Sequence, residues 1–176
     1  MLIMILLSVF LAGLMVGRTP EYLGKKVGVA QMKLITIYVL SIPMVVLLMG
    51  GVSLVFAFGT RSILNSGPHG LTEVTYAFAS VAQNNGSAFA GLSANTPWYD
   101  SALGVTMLIG RFVPIVLVMA VAGSMAGKRI HAHTTATLET SGPTFATLLL
   151  GVVLIVGGLT YLPVLVLGPI AERLVG

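Results

Sequence analysis

The chain has no cysteine and few charged residues. Cysteine is absent from all 176 positions, which excludes a disulfide framework, thiol catalysis and a zinc–thiolate site. Charged residues make up 8% of the chain, against about 25% in soluble domains. With 56% hydrophobic residues, this scarcity of charge predicts an integral membrane protein. The net charge of +4 is a clue to membrane orientation and not to nucleic-acid binding, because Lys and Arg gather in cytoplasmic loops.

Long apolar runs dominate the rest of the sequence. Four of them, 1–16, 34–58, 102–122 and 144–167, are candidate transmembrane spans, since a full span needs about 20 residues. The predicted fold class is therefore all-α and integral to the membrane, with four transmembrane helices. The first run starts at Met1 with no charged n-region and no cleavage site. We expect a truncated helix there and not a signal peptide.

A polar stretch between the second and third spans is the clearest functional signal. A helix from Leu71 to Gln83 has 13 residues and runs into an Asn-Asn-Gly-Ser turn. At 1.5 Å per residue it reaches about 20 Å, short of the roughly 30 Å hydrocarbon core. Irregular backbone at membrane depth is tolerated only where it lines a water-filled or protein-buried path. The stretch is predicted to be a re-entrant pore helix with a filter loop; a surface loop with an Asn-Gly turn is the alternative.

The distribution of Lys and Arg favours re-entry. If the polar stretch returns to the side from which it came, six Lys and Arg residues lie on one face of the membrane and two on the other. If it crosses, the division is five against three. Cytoplasmic loops carry the excess of positive charge, so the re-entrant arrangement is preferred. It places both ends of the chain outside the cytoplasm.

The predicted pore helix has the polarity of a cation site. Glu73 is expected in its first turn, at the positive helix end, which faces outside, while the negative end at Gln83 stabilises a cation toward the membrane interior. Gly86 can adopt a positive φ, so successive carbonyls can turn to one axis and replace the hydration shell of an ion. A ring of carboxylates is missing, which disfavours a divalent ion. The candidate filter residues are Asn84, Asn85, Gly86 and Ser87.

Four segments carry a resemblance to a known family. Residues 67–78 are GPHGLTEVTYAF, 84–92 are NNGSAFAGL, 94–99 are ANTPWY and 17–26 are GRTPEYLGKK. Together they resemble the potassium-binding (A) subunit of the bacterial Kdp potassium-transporting ATPase, the KdpA family. The resemblance runs from the first loop to the C-terminus, and it is to the C-terminal portion of that subunit.

The resemblance implies a fold built from four repeats of helix, re-entrant pore loop and helix. Residues 34–122 would form the fourth repeat, with the filter. Residues 1–33 would be the end of the preceding repeat and a cytoplasmic loop, 123–143 a second cytoplasmic loop, and 144–176 a C-terminal transmembrane helix. One filter segment cannot close a four-sided pore, so the other three walls must come from elsewhere.

The resemblance also implies a function. In the family, the subunit takes up external K⁺ at the filter and passes it through a tunnel to a P-type ATPase subunit, which uses the ATP. Carried over to this chain, the four candidate filter residues would bind the transported K⁺ in the bacterial inner membrane. The implied partners are the P-type ATPase catalytic subunit, small accessory subunits of the pump, and the lipid bilayer.

Motifs for nucleotide chemistry are absent from the sequence. It contains neither a Gly-rich phosphate loop followed by Lys and Ser or Thr nor the Asp-Lys-Thr-Gly phosphorylation motif of P-type pumps. We therefore expect that the chain binds no cofactor and is not an enzyme by itself, although it resembles a subunit of one.

Arg111 places a charge inside the third span, roughly 13 Å from its start by helical rise. A charge at the centre of a membrane helix costs at least about 2.5 kcal/mol, so Arg111 should face a cavity or a partner. Related potassium transporters carry an arginine in the corresponding helix below the filter, where it repels ions or holds a gate. That resemblance assigns Arg111 to the ion path; snorkelling to the outer interface is the alternative. Trp98 and Tyr99 are expected to be anchors at the outer membrane interface.

Two other functions fit the same residues. Four copies of the chain could complete a filter and form a small homotetrameric potassium channel. Alternatively, the chain could be a membrane scaffold that binds the pump subunits without conducting ions. Conduction by purified tetramers would favour the channel, and potassium uptake that tolerates Gly86→Asp would favour the scaffold.

Overall fold

The described part of the chain is mostly helical. The computed structural model describes residues 1–65, 67–87, 90–130, 137–140 and 142–175. The elements in these ranges are α1 (Leu2–Val16), β1 (Glu21–Tyr22), β2 (Lys25–Lys26), α2 (Val29–Val55), α3 (Ala57–Thr60), α4 (Pro68–Ala82), α5 (Pro97–Ala126) and α6 (Pro143–Val175). The two strands form one antiparallel hairpin. The predicted all-α class is therefore confirmed.

Within the described residues, three helices are long and apolar enough to cross a membrane. They are α2, α5 and the Pro143–Thr160 part of α6. The predicted spans 34–58, 102–122 and 144–167 correspond to α2, α5 and α6, and α2 and α5 begin earlier than expected, at Val29 and Pro97. α1 is apolar but has 15 residues, fewer than the roughly 20 of a full span, so a fourth crossing stays a prediction. Three such helices agree with a multi-pass membrane protein.

The chain divides into two compact units, one of residues 1–38 and 116–159 and one of residues 39–115 and 160–176. In the first, α1 buries one face, on which Ile3, Leu6, Val9 and Ala12 recur every three residues. α1 ends at Gly17, which has a left-handed φ of 69°. The hairpin then turns through Leu23 and Gly24, both at positive φ, the backbone that two-residue hairpin turns require.

The hairpin of the first unit contacts the C-terminal end of α5. The Lys25 ammonium donates to the carbonyl oxygens of Met125 and Ala126 at 2.9 and 3.2 Å. Lys128 reaches back, donating to the Lys26 carbonyl and to the Gln31 side chain, each at 2.7 Å. The loop before α2 and the end of α5 are therefore joined through lysine side chains.

The second unit contains a sharp break after α2. Gly59 of α3 folds back on Ser53, so close that a Cβ on Gly59 would lie 2.1 Å from the Ser53 carbonyl oxygen. Two side chains from the start of α5 hold this fold. The Tyr99 hydroxyl donates to the Gly59 carbonyl at 3.1 Å, and the Trp98 indole N–H donates to the Ser53 hydroxyl at 2.9 Å.

This packing corrects the prediction that Tyr99 is an interface anchor, whereas for Trp98, which is half-buried, it stays a prediction. Tyr99 is fully buried. It belongs to a hydrophobic core with Val74 and Phe78 of α4, and its ring lies 6.1 Å from that of Phe78. The Tyr99 hydroxyl is bonded to the α2–α3 break and not directed at headgroups. The core instead fixes the short helix α4 against the first turns of α5.

Candidate functional site

The segment between α3 and α5 leaves and rejoins the second unit at one place. Ile63, before α4, forms an antiparallel bridge with Leu92, after it. The Ser93 N–H donates to the Ser62 carbonyl at 2.9 Å. Residues 64–91 thus form a closed excursion whose two ends are hydrogen-bonded to each other. α4 and the turn that follows it lie within this excursion.

α4 begins three residues earlier than predicted. Gly67 at φ 74° precedes it and Pro68 is its first residue, a position where the fixed φ and missing N–H of proline are tolerated. Its 15 residues give a length of about 22 Å. Glu73 therefore lies in the second turn and not in the first, which contains no acidic residue. The expectation that Glu73 occupies the helix N-terminus is corrected accordingly.

Glu73 is a buried bracing residue in this structure. It is 4% exposed, and its carboxylate accepts hydrogen bonds from the Leu64 N–H at 3.2 Å and from the Asn65 side-chain amide. These bonds fasten the loop before α4 to the helix itself. Glu73 also lines a cleft of about 450 Å³ together with His69 and Tyr76. The carboxylate lies about 14 Å along the helix axis from Ala82 at the C-terminal end, so Glu73 is not part of the turn.

The predicted filter residues form a tight turn capping the end of α4. Its backbone N–H groups point back at the helix: Asn84 donates to the Val81 carbonyl at 3.0 Å and Asn85 to the Ser80 carbonyl at 3.0 Å. The Ser87 N–H donates to the Ser80 hydroxyl at 3.2 Å. The turn is thus held by its backbone N–H groups, two bonded to helix carbonyls and one to a serine hydroxyl, and Asn85, Gly86 and Ser87 are exposed in the chain.

The handedness of the backbone alternates along this turn. Asn84 has φ 58° and Gly86 has φ 62°, whereas Asn85 between them is not left-handed. The N–H groups of Asn84, Asn85 and Ser87 all point back at the end of α4. In a planar trans peptide the carbonyl points opposite to the N–H, so carbonyl oxygens are presented on the other side. Asn and Gly are the residues that adopt positive φ at the lowest cost.

Gly110 of α5 seats the end of α4. A Cβ on Gly110 would lie 2.0 Å from the Ala82 carbonyl oxygen, far inside van der Waals contact. Only glycine permits this approach of the two backbones. Ala82 is the last residue of α4, so Gly110 sets the position from which the turn starts.

Arg111 follows Gly110 directly and lies in the middle of the 30-residue helix α5. It is exposed in the described chain. By sequence it is adjacent to the seat of α4, whereas Glu73 is at the other end of that helix. The structure therefore gathers Asn84–Ser87 into one turn and separates Glu73 from it. The role of Arg111 in an ion path stays a prediction.

Comparison with known proteins assigns the family. The sequence model described as the potassium-transporting ATPase A subunit, KdpA, matches residues 1–174. The chain belongs to this family. Its relatives are named potassium-transporting ATPase potassium-binding subunit. That of Clavibacter sepedonicus is 58% identical over 182 residues, covering 99% of this chain and 32% of the relative.

Other potassium-binding subunits give the same result. The protein of Kineococcus radiotolerans is 55% identical over 176 residues, covering 100% of this chain and 32% of the relative. The protein of Ralstonia pickettii is 56% identical over 174 residues, covering 99% and 30%. The chain thus spans about a third of the length of these relatives. That this third is the C-terminal portion stays a prediction.

Two residues that shape this site were not predicted from the sequence. They are Ser80 and Gly110. Ser80 sits in an apolar helix one turn before the predicted filter, and Gly110 sits in a helix that contains two other glycines, Gly104 and Gly123. Glycine costs about 1 kcal/mol in a helix interior relative to alanine, which is a signal for close packing. The partner of that packing is 28 positions away in sequence, so local pattern does not reveal it.

Proposed function

We propose that the chain supplies one wall of a potassium selectivity filter in the potassium-binding subunit of an ATP-driven potassium uptake pump. Asn84, Asn85, Gly86 and Ser87 take up external K⁺, and the ion passes on to a P-type ATPase subunit that hydrolyses ATP. This chain contributes no ATP chemistry of its own. The observation that carries the proposal is the closed excursion of residues 64–91, with a turn of alternating backbone handedness at the C-terminal end of a short helix.

Two contacts support re-entry of α4 into the membrane. One joins the two ends of the excursion, and the other joins the start of α2 to the end of α5. The joined ends at Ile63 and Leu92 mean that the excursion starts and finishes at one level. In the first unit, Gln31 near the start of α2 donates to the Ser124 hydroxyl near the end of α5 at 3.1 Å. If α2 and α5 each cross the membrane once, the chain between them must return to the side on which it began. A helix of about 22 Å then enters part-way and does not cross.

This arrangement orients the chain in the bacterial inner membrane. The face that carries Lys25, Lys26 and Lys128 is cytoplasmic by the positive-inside rule. The excursion then lies on the outer side, where external K⁺ arrives, and both ends of the chain are extracytoplasmic. The partners are the P-type catalytic subunit and the accessory subunits of the pump, within the bilayer.

The dipole of α4 makes the site favourable for a cation and not for an anion. The C-terminal end of a helix carries a partial negative charge of about half an elementary charge. The last turn of α4 contains no basic residue, and the turn after it presents carbonyl oxygens. Together they stabilise a desolvated monovalent cation in the way of carbonyl-lined filters.

Gly86→Asp tests the filter. Gly86 has open space around it, so the change acts through its left-handed backbone and the added carboxylate, and not through a clash. We expect apparent K⁺ affinity or K⁺ over Na⁺ discrimination to fall by at least about tenfold, since strain and a misplaced charge each cost about 1–3 kcal/mol. The measurement is K⁺ uptake by the assembled pump, with co-purification of the partner subunits as the readout of assembly.

Matched variants separate the effect of backbone strain from that of the added side chain. They also separate the filter from a scaffold or a channel. Gly86→Asn adds a polar side chain that tolerates positive φ, so it should retain more selectivity than Gly86→Ala. Gly104→Ala, at a helical glycine with open space, should behave as wild type. Intact assembly with unaltered uptake in Gly86→Asp would instead indicate a scaffold, and conduction by partner-free tetramers would indicate a channel.

A further inference from the structure

Ser80 holds the candidate filter turn at two points. Its backbone carbonyl accepts the Asn85 N–H at 3.0 Å, the i to i−5 bond with which a helix ends when the residue after its C-cap is left-handed. Its hydroxyl accepts the Ser87 N–H at 3.2 Å, a bond that no continuation of the helix provides. Ser80 is 8% exposed, whereas Asn85 and Ser87 are exposed, so the turn is held from its buried side.

These two bonds orient two carbonyl groups. The N–H of Asn85 belongs to the same planar peptide as the carbonyl of Asn84, and the N–H of Ser87 to the same peptide as the carbonyl of Gly86. In a trans peptide the two groups point in opposite directions. Because both N–H groups point at Ser80, the carbonyls of Asn84 and Gly86 point away from the end of α4. One serine thus sets the direction of alternate carbonyls in the turn.

The Ser80 hydroxyl matters most at Gly86, where the backbone of the turn is least constrained. Asn84 and Asn85 are tied to helix carbonyls, whereas Gly86 lies in open space at φ 62° and, as glycine, has access to far more backbone conformations than other residues. The bond from Ser87 to the Ser80 hydroxyl closes the turn on the far side of Gly86. Without it, the Gly86 peptide is free to rotate.

We propose that Ser80 is a positioning residue of the filter, whose hydroxyl aims the Gly86 carbonyl at the transported cation. This inference rests on the proposed function of the turn. Ser80 acts through the Gly86 peptide and does not itself touch the ion. Removal of the hydroxyl therefore lowers selectivity before it lowers assembly.

The test compares Ser80→Ala with a matched hydroxyl deletion on the same helix, in the complete potassium-binding subunit assembled with its pump partners. Thr75→Val is the control, since the Thr75 hydroxyl donates to the Leu71 carbonyl of its own helix at 2.7 Å. K⁺ over Na⁺ discrimination and apparent K⁺ affinity are measured by uptake, and thermal stability by melting of the complex. Loss of one hydrogen bond predicts about a two- to tenfold loss of discrimination in Ser80→Ala, and wild-type values in Thr75→Val.

Three further variants make every outcome decisive. Ser80→Thr keeps a hydroxyl and should restore discrimination, and Ser80→Cys, nearly the same size with a weak acceptor, stands in if Ser80→Ala does not assemble. Equal effects of Ser80→Ala and Thr75→Val, or none in either, overturn the positioning role. Gly86→Ala is the reference for the filter itself. If it lowers discrimination and Ser80→Ala does not, only the role of Ser80 fails; if neither does, the proposed filter fails as well.

Discussion

The C-terminal ends of α5 and α4 contrast in what neutralises them. At the end of α5, the Lys25 ammonium donates to the carbonyls of Met125 and Ala126, so the protein supplies its own cation. At the end of α4, no basic residue lies in the last turn, and the following turn is closed by backbone groups and one serine hydroxyl. Both ends carry the same partial negative charge. A lysine ammonium therefore caps α5, whereas α4 has no such cation, and the proposed function assigns that position to the transported K⁺.

The same contrast extends to how each turn is built. The hairpin before α2 is fastened by long charged side chains. Lys128, which follows α5, donates to the Lys26 carbonyl of the hairpin. The turn after α4 uses short residues, with left-handed backbone at Asn84 and Gly86. Charged side chains fasten a loop but occupy its carbonyls. The turn after α4 is fastened through its N–H groups instead and does not use its carbonyls for this purpose.

The largest effect is expected at Gly110, which seats the end of α4. Gly110→Ala places a Cβ 2.0 Å from the Ala82 carbonyl oxygen, so α4 must shift and carry the turn with it. Overpacking of this kind costs about 1–3 kcal/mol. We expect most K⁺ over Na⁺ discrimination to be lost, as measured by uptake, together with a lower melting temperature of the complex. Gly104→Ala, six residues earlier in α5 with open space around it, is the control and should be neutral.

A second test asks whether Arg111, next to Gly110 in sequence, lies on the ion path. Arg111→Gln removes the fixed charge that follows Gly110. If the arginine lies on the ion path, apparent K⁺ affinity or transport rate should change by about three- to tenfold, the size of a charge interaction of about 1 kcal/mol, while assembly is retained. Arg111→Lys, which keeps the charge, should stay near wild type. Unchanged uptake in Arg111→Gln would remove Arg111 from the ion path.

The smallest effect is expected at the C-terminal end of α5, which the Lys25 ammonium caps. Lys25→Met removes the ammonium from the Met125 and Ala126 carbonyls and should lower stability by about 0.3–1 kcal/mol, with K⁺ affinity unchanged. The measurement is thermal melting at low salt, beside uptake. Lys26→Met, on the exposed neighbour in the same strand, is the control. A fall in K⁺ affinity in Lys25→Met alone would contradict the division of roles between the two helix ends.

Part of the candidate site is readable from local pattern. The apolar runs predict α2, α5 and α6, because each helix exposes an apolar surface over a length that a bilayer imposes. The Asn-Asn-Gly-Ser stretch predicts a turn, since these residues adopt positive φ at low cost, and Asn84 and Gly86 do so. The predicted start of α4 at Leu71 is too late, because Pro68 and Gly70 have low helix propensity, yet proline is tolerated in the first turn of a helix.

Other features of the site depend on contacts between distant residues. Glu73 has the pattern of a helix-end carboxylate, yet its partners are Leu64 and Asn65 in the preceding loop. Tyr99 has the pattern of an interface aromatic, yet its hydroxyl bonds to Gly59, 40 positions earlier. Hydropathy describes preference for lipid or water, and it does not say which polar group will be the partner.

The sequence by itself determined that the chain is a membrane protein, where its apolar helices lie, and which four residues form the turn after α4, because hydropathy, helix length and backbone preference are local properties. Only the tertiary structure decided that residues 63 and 92 meet, that Gly110 seats Ala82, and that Ser80 accepts the N–H of Ser87. Those contacts depend on how two backbones approach each other in space, and they set the direction in which the carbonyls of the turn point.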